Sequence, residues 1–155
     1  MPHIHTLPGQ FDHTVEVFIV CDNKVLIRKH DKYDMWLAVG GHIELDEDPN
    51  QTALREVKEE VGLDITLFRV RTLPASTDTT TELIPPIFLN KHRISDMHSH
   101  VTYTYFASSK TQDVVPERPN DVWCWLTKAE VTSNVVDMPV NIQFYALAAL
   151  DALST

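Results

Sequence analysis

The sequence predicts an α+β fold: a central mixed β-sheet in one domain over residues 1–155, with helices on either side. Three observations lead there. Short apolar runs paired across turn residues mark strands early and late in the chain. One charged helix with well-marked ends lies in the middle, and an apolar helix closes the sequence. At 155 residues there is room for one proper core and not for two.

The first strand is Thr14 to Cys21, apolar from Val17 onward, and the turn Asp22-Asn23-Lys24 returns the chain as Val25 to Arg28. Arg28, Lys29 and His30 then form a short basic group, suited to a substrate phosphate or sugar, or simply to a solvated strand end. Trp36 to Val39 is a brief strand that delivers the chain to Gly40. In the central helix Asp48 stands at the N-cap, Pro49 at the first helical position and Gln51 three residues after the cap. Gly62 sits where a left-handed C-terminal residue is wanted. Leu54, Val57 and Val61 have the spacing of its buried side. Asp64 to Thr72 alternates as a further strand. Pro74 to Ser99, with its Thr/Asp-rich tract and the Pro85-Pro86 pair, is the least regular part, and loops of that length are functional or mobile.

His100 to Ser108 is an evident strand, with His98 and His100 two apart and so on one face. Tyr103 and Tyr105 share the other parity, placed for sheet packing or for stacking on a base. Val114 to Asn120 reads as a polar loop and Asp121 to Leu126 as a strand, and Thr127 to Glu130 has the spacing of a capping box that starts a short helix. In the final helix, from Pro139, Ile142, Ala146, Ala149, Leu150 and Leu153 line one side, with Phe144 and Leu147 on a second. A helix apolar on two sides is deeply packed or part of a subunit contact, so a monomer or a homodimer is expected.

Hydrophobic residues make up 43% of the chain and charged ones 23%, the balance of an ordinary globular protein. No apolar run reaches about 18 residues, so no membrane partner is expected. MPHIHTLPGQF lacks the basic-then-apolar layout of a signal peptide, and a cytoplasmic location is the expectation. Cys21 and Cys124 sit in strand-like surroundings and read as buried free thiols. With 22 acids against 13 bases the formal charge is −9, and no Lys/Arg cluster offers a nucleic-acid face. An acidic chain that acts on phosphates needs a cation between the two anions.

The acidity is densest in the central helix, where Glu56, Glu59 and Glu60 fall at i, i+3 and i+4. Like-charge pairs at that spacing cost roughly 0.2–0.5 kcal/mol each, and Lys58 projects elsewhere. Either the face is solvated, or a hard divalent cation with oxygen ligands neutralises it. The residues upstream bear on that choice. Gly41 is followed after five residues by Glu47 and after seven more by Arg55-Glu56; apolar Val57, Glu59-Glu60, Gly62 and apolar Leu63 complete the pattern. This resembles, position for position, the signature of the Nudix (MutT-like) hydrolases.

The resemblance implies an α/β/α sandwich in which a loop–helix–loop holds a divalent metal, Mg²⁺ with Mn²⁺ able to substitute, against a diphosphate. Carried over, Glu56, Glu59 and Glu60 are the metal-binding glutamates, with the carbonyl of Gly40 as a further ligand. Glu47 supports the metal shell, and Arg55 pairs with acids to fix the loop, a task that suits a planar guanidinium. Val39, where many members have proline, and Asp46, where many have glycine, depart from the pattern without removing a ligand. A further acid in the late loop, Glu117 or else Asp121, or Glu56 itself, is the candidate general base. Arg28, His98, His100 and Tyr103 are the candidate substrate contacts.

The implied reaction is hydrolysis of a small nucleoside diphosphate linked to another group. Two rivals are a non-catalytic nucleotide-binding module and a prenyl-diphosphate isomerase. The first is opposed by the intact carboxylate set, and the second by cysteines that sit in strand core.

Overall fold

A computed structural model describes residues 7–155; the start of MPHIHTLPGQF, on which part of the signal-peptide reading falls, lies outside the described residues. The elements are β1 (Phe11–Cys21), β2 (Lys24–His30), β3 (Met35–Leu37), β4 (Val39–His42), α1 (Pro49–Val61), β5 (Ile65–Leu67), β6 (Phe88–Ser95), β7 (His98–Ser109), β8 (Trp123–Thr127), α2 (Lys128–Thr132) and α3 (Val140–Leu153). All eight strands join one mixed sheet.

The spine of the sheet is the parallel pair β1–β7, in register from Phe11↔Ser99 to Val20↔Ser108. Each spine strand shares its outer edge between two short strands. On β1, β2 pairs near the turn and β4 pairs from Thr14 to Val17. On β7, β5 takes Ala107 to Ser109 and β6 takes His98 to Thr104. Strand β2 in turn carries β3 and β8.

Alternation along the spine makes the two layers. Val15, Val17, Ile19, Tyr105 and Ala107 point to one face, where they pack with Ala53, Val57 and Val61 of α1. Phe18, Val20 and Phe106 point to the other and pack with Ile142, Ala146, Ala149 and Leu150 of α3. The helices therefore lie on opposite faces of a mixed sheet, as the sequence predicts.

Four expectations are corrected. The stretch Pro74–Ser99 is not irregular throughout, because its end is β6, an edge strand whose many polar residues hide the alternation. The strand expected over Asp64–Thr72 stops at Leu67, one further bond running from Phe68 N–H to the Phe106 carbonyl. Beyond it β7 turns to another partner, since Ile87 N–H donates to Thr104. The single strand expected over Trp36–Val39 is two, and Gly40 and Gly41 lie within the second. On α1, Leu54 is 45% exposed, and the buried side is Ala53, Glu56, Val57 and Val61.

Both expected capping boxes form, Asp48 with Gln51 and Thr127 with Glu130. Gly62 closes α1 at φ 70°, and a Cβ there would stand 2.7 Å from Cβ of Val115. Gly62→Ala is therefore expected to cost roughly 1–3 kcal/mol, from left-handed backbone strain together with the forced shift of Val115. Urea unfolding checks this: the midpoint should fall with an unchanged slope.

Candidate active site

Helix α1 and strand β4 build the site together. Gly41 lies so close to α1 that a Cβ on it would sit 2.2 Å from Oε1 of Glu56. Only glycine leaves that carboxylate its place. Glu56 itself is 3% exposed. Burial pushes its carboxyl above the usual range, Arg55 pulls it down, and the charges of Glu59 and Glu47 add to the rise.

Arg55 organises this group. Its Nη2 donates to Glu47 Oε2 at 2.9 Å and to the His42 carbonyl at 3.2 Å, while Nε donates to the other Glu47 oxygen. Nη1 stands between Glu56 Oε1 at 3.0 Å and Glu59 Oε2 at 3.1 Å. The bidentate bond to Arg55 holds Glu47 below the ordinary carboxylate range, and the same bond holds Arg55 above its own. Thr52 donates a further hydrogen bond to Glu47 at 2.9 Å. The acidic helix face is thus not left to solvent, as α1 alone suggests; two guanidiniums serve it.

The second guanidinium is Arg28. It is 8% exposed and reaches Glu60 Oε1 and Asp121 Oδ1, each at 3.3 Å. Glu60 also accepts the Gly40 N–H at 3.1 Å. The amide of Gly40 thus meets α1. Burial lifts Glu60 to about 7; Arg28 and the Gly40 amide pull it down, and the charges of Glu56 and Glu117 raise it.

The late loop reaches the same place by capping α1. The last carbonyls of a helix have no partner within it. Val115 N–H donates to the Val61 carbonyl at 2.9 Å and Glu117 N–H to the Glu60 carbonyl at 3.1 Å. Asp121 is buried between Arg28 and the Arg118 N–H, which donates to it at 3.0 Å.

Gly40, Glu47, Arg55, Glu56, Glu59, Glu60, Glu117, Asp121 and Arg28 are therefore brought together. The other three candidates are not. Tyr103 is on the α1 face but hydrogen-bonds with His13 at 3.2 Å. His98 and His100 share the parity of Thr102, Thr104 and Phe106, on the face away from α1. Two polar residues were not picked out from sequence. Asn50 pairs with the backbone of Ile84 in both directions, at 2.8 and 2.9 Å, and so ties the long connection to the start of α1. Asp12 lies beside His98. The polar alternation Asp12-Thr14-Glu16 was the available signal for Asp12; none was local for Asn50.

All-oxygen carboxylate donors around a net-negative centre, buried at Glu56 and open at Glu59, suit a hard divalent cation such as Mg²⁺. Such an ion would take the oxygens of Glu56 and Glu59 that Arg55 now shares.

The NUDIX domain family matches residues 11–147. A hydrolase of the NUDIX family from Clostridium perfringens is 34% identical, with TM-score 0.80 over 92% of this chain and 97% of that one. A MutT NUDIX hydrolase from Burkholderia pseudomallei shares the fold at 19% identity, with TM-score 0.60 over 94% of this chain and 100% of that one. Dihydroneopterin triphosphate diphosphatase from Haemophilus influenzae is 27% identical over 73% of this chain and 71% of its own. RNA pyrophosphohydrolase from Roseobacter denitrificans is 27% identical over 81% and 80%.

The raised Glu60 makes a prediction for the metal-free protein. An acid whose folded pKa lies above its unfolded value stabilises the fold fully below the unfolded pKa, and that stability is lost as pH rises through the folded one. In EDTA, unfolding free energy should therefore fall between the ordinary carboxylate range, 4.5, and about 7. Denaturant titrations across that window check it, and Glu60→Gln should flatten the slope.

Proposed function

Since the chain belongs to the Nudix hydrolase family, we propose that it is a Mg²⁺-dependent hydrolase of a small nucleoside diphosphate linked to another group, with Mn²⁺ able to substitute. The observation that carries this is the convergence of Glu56 and Glu60 on the glycine strand, with Glu59 joined to Glu56 through Arg55 and Glu117 delivered by its backbone to the same helix end. The names of both curated relatives speak of diphosphate or pyrophosphate cleavage. Such a cation, when bound, lowers the pKa of its water and neutralises charge developing on the phosphate oxygens.

The chain's own residues supply position and a proton acceptor. Glu47 and Arg55 hold the Gly41 strand, Glu56 and Glu59 in one frame. Arg28 is a positioning residue that orients Glu60. Among the candidate bases, Asp121 is committed to Arg28 and Glu56 to Arg55, which favours Glu117 as acceptor for the proton of the attacking water.

A release assay tests the reading over nucleoside triphosphates, sugar nucleotides, dinucleoside polyphosphates and capped nucleotides, each with Mg²⁺ and with Mn²⁺. One class should be cleaved, and only with metal. Glu60→Gln should lower hydrolysis of the best substrate by roughly 10²- to 10⁴-fold, because metal stabilisation is worth several kcal/mol and each 1.36 kcal/mol is tenfold. A rate within a few-fold of the parent would remove Glu60 from the metal shell and favour a binding module.

Millimolar Mg²⁺ should also raise the melting temperature relative to EDTA at fixed ionic strength, since the ion binds only the folded carboxylates. Equal melting temperatures would count against a metal at this helix.

A further inference from the structure

The sheet carries a second polar cluster, on the face away from α1. Asp12 of β1 is fully buried, and the β1–β7 register sets it opposite His100. Its Oδ2 lies 3.1 Å from Nε2 of His98 and 3.5 Å from Nε2 of His42, which β4 brings in beside Thr14. One donor atom each from Asp12, His98 and His100 falls within a span of 4.8 Å. The His100 ring stands 5.1 Å from those of both His98 and His42, and 5.3 Å from that of His92 on β6.

The geometry points to a transition-metal site of the zinc type, with Asp12, His98 and His100 as ligands and His42, beside Asp12, as a fourth that would have to swing toward the ion. Two donors on one tetrahedral Zn²⁺, at bond lengths near 2.0–2.1 Å, stand roughly 3.3 Å apart. The Asp12–His98 separation is close to that value, so this edge needs almost no movement, while His100, with a donor within 4.8 Å of the other two, and His42 would draw in by side-chain rotation. Imidazole nitrogen with a carboxylate selects Zn²⁺ and its borderline neighbours, whereas Mg²⁺ prefers oxygen donors throughout. The two centres therefore differ in the metal they take.

The ligands come from β1, β4 and β7, so one ion would pin all three strands together. His42 directly follows Gly41, and its carbonyl receives Arg55. The ion is thus a structural clip that holds the glycine strand from behind while α1 presses on its front. It takes no part in the chemistry of the glutamates.

The test is a Zn²⁺ titration of tag-free full chain by calorimetry in saturating Mg²⁺, with a parallel Co²⁺ titration followed by visible absorption. His3 and His5 lie outside the described residues, so a chain carrying His3→Ala and His5→Ala is titrated alongside. One Zn²⁺ per chain is expected in both, with Co²⁺ bands of four-coordinate nitrogen and oxygen ligation and a rise in melting temperature above that given by Mg²⁺. The pair His98→Ala and His100→Ala should weaken Zn²⁺ binding by roughly 100-fold or more; Glu60→Gln should leave it unchanged. Long-range ¹H–¹⁵N spectra of the unaltered chain read the imidazole nitrogens directly, whether or not the variants fold; those of His98 and His100 should shift with Zn²⁺ and not with Mg²⁺. Absence of Zn²⁺ binding, its loss in the His3/His5 chain, equal affinity in the His98/His100 variant, or unmoved imidazole signals would each overturn the proposal and leave a hydrogen-bonded Asp–His cluster.

Discussion

The parallel ladder between β1 and β7 is the constraint on which everything else rests. Ten consecutive residue pairs lock the two strands, and a slip of one residue would exchange the faces of every side chain on them. The register puts Val15, Val17, Tyr105 and Ala107 beneath α1, and Phe18 and Phe106 beneath α3. It also sets Asp12 against His100, makes Thr14 and Thr102 share a hydrogen bond of 2.8 Å, and brings Thr104 to Glu16 at 2.6 Å. Below the aromatic layer, then, the α3 face turns polar in step. Burial raises the Glu16 carboxyl, and the Thr104 hydroxyl opposes that rise. A polar column inside a sheet is tolerable only where such partners meet in register.

On the α1 face, magnitudes decide what matters. Repulsion among Glu56, Glu59 and Glu60 as helix neighbours is a matter of roughly 0.2–0.5 kcal/mol per pair. Taking a carboxylate out of water costs several kcal/mol unless charge and hydrogen bonds replace the solvent. Burial of Glu56 and Glu60 is therefore the larger effect, and it leads the causes of both upward shifts. Arg55 and Arg28 offset it only in part, because two guanidiniums face Glu47, Glu56, Glu59, Glu60 and Asp121. The surplus negative charge is what suits the centre to a cation.

Much of this was legible in the sequence because it is local. Caps, the helix they bound, and the spacing of the glutamates all lie within one short stretch, where propensity and side-chain hydrogen bonds act between near neighbours. The turn Asp22-Asn23, both residues of which take positive φ, was legible for the same reason. Pairings across the chain were not. Arg28 reads as a basic strand end, and only the fold reveals that it is buried between Glu60 and Asp121. His98 and His100 read only as two histidines on one strand face, since Asp12 precedes the strand the sequence marks out and reaches them only through the spine. Leu54 misled because α1 buries Glu56, which displaces the apolar stripe toward Ala53.

The late loop shows how local and distant constraints meet. Helix α1 ends at Gly62, where the left-handed turn exposes the carbonyls of Glu60 and Val61. Amides of Glu117 and Val115 fill that need, so the same hydrogen bonds that finish the helix fix the loop's position over it. Val115 packs against Gly62 so closely that a side chain there would force it to shift. Glu117 consequently arrives beside Glu60 as a result of helix termination, drawn in by its backbone. An acid delivered this way keeps its carboxylate oxygens out of the anchoring, because the backbone does that work. The glutamates of α1 are held by the opposite device, side chain to guanidinium, which fixes them closely and leaves their oxygens shared. The proposed metal-dependent hydrolysis has use for both kinds of placement.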